Sequence, residues 1–228
     1  VAAGSIARII LGKNIEITGA VIQLGKKKIR KNIWKKNFIS KNDFFCPDPS
    51  VVKQWEEYLL SIRKEGSSCG AIIEIRATGM PIGLGEPIYG KLDADIASAL
   101  MSINAVKGVE IGTGFDVVKM SGEENSDEMQ VNKDGKVSFL SNNAGGILGG
   151  ISSGQDLICR LAVKPTSSIL KKQKTITITN KNTTIKTKGR HDPCVGIRCV
   201  PVAEAMIALV LADHLLRNRI QLGRKERV

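Results

Sequence analysis

The sequence predicts an α+β fold, and three observations carry that prediction. Apolar residues recur at helical spacing in some segments and alternate strictly in others, the periods of an amphipathic helix and a half-buried strand. The two kinds of segment follow one another without the regular alternation of a doubly wound sheet. With 228 residues, 42% hydrophobic and 25% charged, the chain is long enough to bury a core and has the composition of an ordered protein.

Each element has its own signal. Residues 1–12 read as the end of a helix, with Ile6, Ile9, Ile10 and Leu11 on one face and Gly12 as its stop. Residues 15–24 read as a β segment broken at Gly19, and Cys46-Pro-Asp-Pro as a loop that opens a helix. That helix, about Ser50 to Lys64, turns Val51, Trp55, Tyr58, Leu59 and Ile62 to one side, and Gly66 ends it. Ala71 to Thr78 alternates as a half-buried strand, and the glycines and prolines of 79–90 exclude regular structure.

A helix from Leu92 to about Asn104 presents Ile96, Leu100 and Ile103, and Gly108 to Ile111 is a short strand entering a glycine turn. Residues 120–136 are polar and acidic, an exposed excursion. Leu157 to Val163 is a strand. Thr175–Thr179 and Thr183–Thr187 alternate around Asn180-Lys-Asn as a hairpin. Pro201 is placed in the first turn of a last helix, running to about Arg217 and apolar almost all round, hence buried.

Charge narrows the partners. There are 34 Lys and Arg against 22 Asp and Glu, a net charge of +12, which points to nucleic acid, an anionic membrane surface or a phosphorylated small molecule. Eight of those positive charges lie between Lys26 and Lys41 with no acidic residue among them. The high pI therefore comes from one block. Trp34 and Phe38 interrupt it, but 4% aromatics are too few for base-stacking platforms, so a nucleic-acid partner is disfavoured. The longest apolar run, Ala205 to Ala212, falls short of the ~20 residues of a membrane span, and no membrane partner is expected. Five scattered cysteines do not form a disulfide framework and fit a reducing compartment.

Three motifs carry chemistry. In Ser141-Asn-Asn-Ala-Gly-Gly-Ile-Leu-Gly-Gly-Ile-Ser-Ser-Gly154, five glycines in ten residues either let backbone N–H groups reach a ligand or serve tight packing alone. Lys164-Pro-Thr-Ser-Ser168 follows a strand and suits an anionic edge, or is an ordinary hydroxyl-rich turn. Gly189-Arg-His-Asp-Pro193 gathers a cation, an imidazole and a carboxylate, as a proton-handling loop or a structural Arg–Asp pair. His191, Cys194 and Cys199 lack a fourth ligand at suitable spacing, so no metal site is expected. His214 reads as a capping or packing residue.

Together these motifs resemble the chorismate synthases. The resemblance rests on Val1-Ala-Ala-Gly-Ser-Ile-Ala, Gly90-Lys-Leu-Asp-Ala-Asp-Ile-Ala, Ile103-Asn-Ala-Val-Lys-Gly-Val-Glu-Ile-Gly, the Asn-Asn-Ala-Gly-Gly-Ile loop, Lys-Pro-Thr-Ser-Ser, Gly-Arg-His-Asp-Pro-Cys, and Arg198 with the final helix. It covers nearly the whole chain and implies a β-α-β sandwich, helices packed between antiparallel sheets. It implies one domain over 1–228, truncated at its front, with 26–48 and 120–140 as surface excursions. The implied activity is a cytoplasmic lyase reaction: 1,4-elimination of phosphate from 5-enolpyruvylshikimate 3-phosphate, giving chorismate and dependent on reduced FMN.

By motif, Asn104, Ala105 and Gly149 would lie on FMN, Lys164, Pro165, Thr166, Ser167 and Ser168 would hold its phosphate and ribityl side, and Arg190 would also contact it. Asp192 would help flavin N5 act as base. The family further suggests a homotetramer, and NADP and either an external or an intrinsic flavin reductase belong to the same expectation. Its members carry a front section with two functional histidines before the point where this chain starts, so the chain reads as a fragment without turnover of its own. The contrasting expectation is a non-catalytic, basic nucleic-acid-binding protein on the same fold.

Overall fold

The computed structural model describes residues 1–223. The chain opens with α1 (Ala2–Leu11), whose packing face is not the isoleucine face. Gly4, Ala7 and Leu11 are buried, whereas Ile6 and Ile9 are 64% and 70% exposed. The cause is steric. A Cβ on Gly4 would lie 2.5 Å from that of Ala205, so the helix closes on its neighbour along its smallest residues.

β1 (Glu16–Leu24) runs unbroken through Gly19. A Cβ there would fall 2.7 Å from Ile75 Cδ1 and 3.0 Å from Val200 Cγ1, so this glycine marks a close approach and not a break. Its N–H donates to Glu204 Oε1 at 2.6 Å, and Arg8 Nη2 donates to the other oxygen at 2.9 Å. Burial raises the Glu204 carboxyl above its ordinary range, against these two partners.

β2 (Lys27–Lys28) pairs antiparallel with β1, Gln23 opposite Lys28, and α2 (Lys36–Ile39) is a single turn. α3 (Val52–Lys64) buries Trp55, Leu59 and Ile62, and β3 (Ala71–Thr78) buries every second residue, as their periodicities predict. α4 (Leu92–Met101) stops short of Ile103. There the chain turns through Ala105 at φ 72°, and Val106 N–H donates to Ile103 O at 3.1 Å to start β4 (Val106–Ile111).

After a 3₁₀ turn (Gly114–Lys119), a reciprocal Ser121–Glu124 capping box closes α5 (Gly122–Asn125). β5 (Met129–Val131) and β6 (Val137–Phe139) form an exposed hairpin. β7 (Ile147–Leu148) and β8 (Ile151–Ser152) form a tight one inside the glycine-rich motif. β9 (Leu157–Val163) precedes the hairpin of β10 (Gln173–Ile176) and β11 (Asn182–Ile185). That hairpin turns earlier than expected, because Thr177 N–H bonds to Lys181 O at 2.8 Å and closes the loop before Asn182.

α6 (Gly196–Leu222) is 27 residues long and holds Pro201 inside it, not in its first turn. The helical ladder has already begun, with Cys199 N–H donating to Val195 O at 3.2 Å, so the helix starts before the proline is reached. Length and composition alone would let α6 cross a bilayer, yet half of its apolar stretch is buried inside the protein. Leu216 and Ile220, at 42% and 81% exposed, show that its apolar surface is not covered all round.

The large sheet has five strands in the order β2-β1-β3-β9-β4, and with the separate two-stranded antiparallel hairpins the fold is mixed α+β. The chain divides into two compact units. One comprises Val1–Gly19, Glu74–Leu161 and the chain from Val200; its core includes Leu84, Ile96, Leu100, Ile207 and Leu211. There His214, 2% exposed, is a packing residue whose Nε2 lies 2.9 Å from Asp95 Oδ2, tying α6 to α4.

The other unit comprises Ala20–Ile73 and Ala162–Cys199. Its core holds Leu24, Trp55 and Ile73, and beneath the lysine block it buries the Asp48 carboxylate completely. Arg30 Nε and Nη2 each meet an Asp48 oxygen at 3.0 Å, the Arg30 N–H adds a third bond at 3.1 Å, and Ser50 caps the carboxylate at 2.7 Å. Arg30, whose side chain is 60% exposed, first of all holds the Asp48 carboxyl far below the usual carboxylate range.

A depressed folded-state pKa means that the stabilisation is present above the unfolded value, about 3.9, and is lost as pH falls below it. Asp48→Asn is expected to lower unfolding free energy by about 1–3 kcal/mol at neutral pH. Urea titrations across acid pH check this: the gap between variant and wild type should close as the medium is acidified.

Candidate anion-binding site

Three segments of the second unit are tied into one knot. Cys69 N–H donates to Pro193 O at 2.8 Å, and Ser68 Oγ to Thr166 O at 2.6 Å. Thr166 Oγ1 donates to Asp192 O at 3.3 Å, and Leu170 N–H to Gly66 O at 3.1 Å. Around these bonds lies a cavity of about 460 Å³ whose lining includes Arg63, Ser67, Ser168, Arg190, His191 and Asp192. A second hollow of about 240 Å³ shares Arg63, Arg190, His191 and Asp192 and adds an apolar wall of Phe44, Leu59 and Leu60.

The electrostatics of the cavity favour an anion. Two guanidinium groups, Arg63 from the last turn of α3 and Arg190 from the loop, line it, and both residues are exposed. His191 contributes a buried Nε2 that has no hydrogen-bond partner among the described residues. A buried polar atom left unpaired costs about 1–3 kcal/mol, so a ligand oxygen at that nitrogen would recover the loss. The carboxylate of Asp192 is held at both oxygens by Arg198, Nε to Oδ2 at 3.0 Å and Nη2 to Oδ1 at 3.3 Å. An Arg–Asp pair thus forms, but with the arginine six positions downstream and not with the adjacent Arg190.

The residues of the hydroxyl-rich turn divide. Ser168 lines the cavity, while Lys164, Pro165 and Ser167 are exposed and do not. Thr166 spends its hydroxyl on the Asp192 carbonyl and so positions the carboxylate-bearing residue from behind. Arg63 carries no signal in the sequence, and Arg198 enters there only as part of the resemblance, with no role assigned. The available signal for Arg198 was its place in the first turn of α6, directly after the Asp192 loop; nothing local marked Arg63, whose cavity-facing role depends on tertiary contact.

Asn104, Ala105 and Gly149 belong to the first unit. Asn104 is exposed and Ala105 half-buried in the turn between α4 and β4. Within the glycine-rich motif several N–H groups are already used. Asp127 Oδ1 accepts from Ser141 Oγ at 2.6 Å and from Asn143 N at 2.7 Å, and its Oδ2 accepts from Ala144 N at 2.9 Å.

Burial pushes the Asp127 carboxyl up, but these bonds outweigh it and hold it below its ordinary range. Gly145 is packed so closely that a Cβ would overlap the Gly112 backbone. The packing account of these glycines therefore holds for most of the loop. Gly149 differs: it is exposed at the tip of the β7–β8 turn, at φ 61° and with nothing within 4 Å of where a Cβ would sit.

The chorismate synthase family model matches residues 1–216. Chorismate synthase of Parvibaculum lavamentivorans is 61% identical over 223 residues, covering 98% of this chain and 60% of that protein. The chorismate synthase of Agrobacterium fabrum is 58% identical over 224 residues, with 98% and 61% covered. A crystal structure of chorismate synthase superposes with a TM-score of 0.79 at 28% identity, covering 95% of this chain and 62% of the other. The chain thus spans about 60% of the length of the curated relatives it matches. On family match, identity and fold together, the chain belongs to the chorismate synthase family.

Proposed function

We propose that this protein acts in the chorismate synthase reaction, the reduced-FMN-dependent 1,4-elimination of phosphate from 5-enolpyruvylshikimate 3-phosphate to give chorismate. The observation that carries the reading is the cavity of the second unit, where two guanidiniums, an unpaired imidazole nitrogen and an oriented carboxylate converge. Those groups fit a phosphorylated ligand: the cations match its charge, and His191 Nε2 offers a bond that the chain itself leaves unmade.

In this reading Arg190 and Ser168 would hold reduced FMN, which would supply transient electron donation with no net redox change. The chain's residues bind, orient and move the proton. Arg190 meets the anionic ligand as a charged donor and Ser168 faces it in the cavity, while Lys164, Pro165, Thr166 and Ser167 are assigned to the phosphate and ribityl side by motif alone. Asp192 manages the proton at flavin N5, and Arg198 fixes the direction of its carboxylate. Thr166 anchors the same residue through its carbonyl. Asn104, Ala105 and Gly149 are assigned to flavin by motif alone. Assembly as a homotetramer, flavin reduction by an external reductase and a cytoplasmic location belong to the same reading.

FMN titration followed by flavin fluorescence tests the binding side. Arg190→Ala should weaken FMN affinity about 10–100-fold, the value of one charge-assisted hydrogen bond, and unchanged affinity would overturn the assignment. A steep salt slope with RNA or DNA and no flavin quenching would support the nucleic-acid alternative instead.

Asp192→Asn separates chemistry from binding. In a preparation that turns over 5-enolpyruvylshikimate 3-phosphate, it should leave FMN affinity within a few-fold and cut kcat about 10²–10⁴-fold, the usual worth of a positioned proton-transfer group. Steady-state assay with reduced FMN reads this; equal loss of affinity and rate would make Asp192 a binding residue.

A further inference from the structure

Of the five cysteines, all buried and free, two lie against each other. Cys69 stands just ahead of β3 and Cys194 just ahead of α6, and the Cys69 N–H···O Pro193 bond of 2.8 Å holds their backbones side by side. The Cys69 thiol donates a hydrogen bond to the Cys194 sulfur, which also accepts from the N–H groups of Gly196 and Ile197 at the start of α6. Both side chains are nearly enclosed, at 5% and 4% exposure, and Ser67 and Pro193, two residues and one residue away along the chain, line the 460 Å³ cavity.

We propose that Cys69 and Cys194 are a redox site that closes to a reversible disulfide when a hydroperoxide enters the cavity. The pairing supports the chemistry. Donation from Cys69 first, then from the two helix N–H groups, lowers the Cys194 thiol below its ordinary value, while giving up that bond raises Cys69. Cys46 and Cys199 contrast with this, since burial pushes each up to about 11, and Cys159 is pushed up to about 12.

Cys194 is therefore the attacking thiolate. It displaces hydroxide from the peroxide O–O bond and becomes a sulfenic acid, and the hydroxide takes up a proton as water. Cys69 sulfur then attacks the sulfenic sulfur, the S–S bond forms, and the S–O bond breaks as the thiol proton leaves with the oxygen in a second water. Two thiols are oxidised by two electrons, and one hydroperoxide is reduced.

The test exposes the purified protein to a small excess of hydrogen peroxide, caps free thiols with an alkylating agent, and maps peptides without reduction. Five cappable thiols should fall to three, intact mass should drop by about 2 Da, and the peptides holding Cys69 and Cys194 should appear linked until dithiothreitol is added. The pair should react at least about tenfold faster than Cys46, Cys159 or Cys199. In Cys69→Ser, Cys194 should instead be trapped as sulfenic acid by a dimedone-type reagent. Five thiols surviving in the wild type, modification of the other three at the same rate, or Cys194 oxidised without linkage to Cys69 would each overturn the proposal. The wild-type map decides it even if the variant folds poorly.

Discussion

The site depends on the knot that joins residues 66–70, 164–170 and 189–193. Each segment alone is a loop without regular hydrogen bonding, and a loop at an anion site must have its backbone groups satisfied somewhere. Here they satisfy one another: the Cys69 amide closes on Pro193, Ser68 on the Thr166 carbonyl, and Thr166 on the Asp192 carbonyl. None of these bonds exceeds about 1 kcal/mol in net stability. Their effect is geometric, because they share residues, and moving any one strand of the knot moves the carboxylate of Asp192 relative to Arg63 and Arg190.

Charge has two separate roles in this chain. The lysines of 26–41 are mostly exposed, and exposed charges contribute little to stability. Arg30, within the same run, is different in kind because its partner Asp48 is fully buried. Arg63 and Arg190 line a cavity and pair with no carboxylate among the described residues, which leaves their charge to a ligand; Arg198 is committed to Asp192. Counting cations gives +12, but only their surroundings separate solvated, structural and ligand-facing groups.

Much of the fold was legible because the relevant forces are local. β3 alternates, α3 repeats at helical spacing, and β9 is bounded by turn residues; each matches its span closely. The errors occur where a tertiary contact overrides local pattern. Ile6 and Ile9 look like a core face, but Gly4 against Ala205 brings the small side of α1 inward. Gly19 looks like a break, yet β1 needs it for clearance from Val200 and Ile75. In the candidate site, Arg190, Ser168 and Asp192 were legible from motifs. Arg63 was not, since a lysine- or arginine-ended helix gives no sign of which cation meets a cavity formed by chain over a hundred residues away.

The glycine-rich loop and the Lys-Pro-Thr-Ser-Ser turn teach the same distinction between a motif and its individual atoms. A motif that reads as a ligand cradle can spend most of its donors on itself, as Asn143 and Ala144 do on Asp127 and Thr166 does on Asp192. Such donors still matter to a site, because a clamped loop pays the entropy of ordering before any ligand arrives. What remains open is small and specific: the tip at Gly149 and the Ser168 edge. Rigidity of the rest is what makes those few open groups useful, since a donor held in place by its neighbours loses little freedom when a phosphate oxygen meets it.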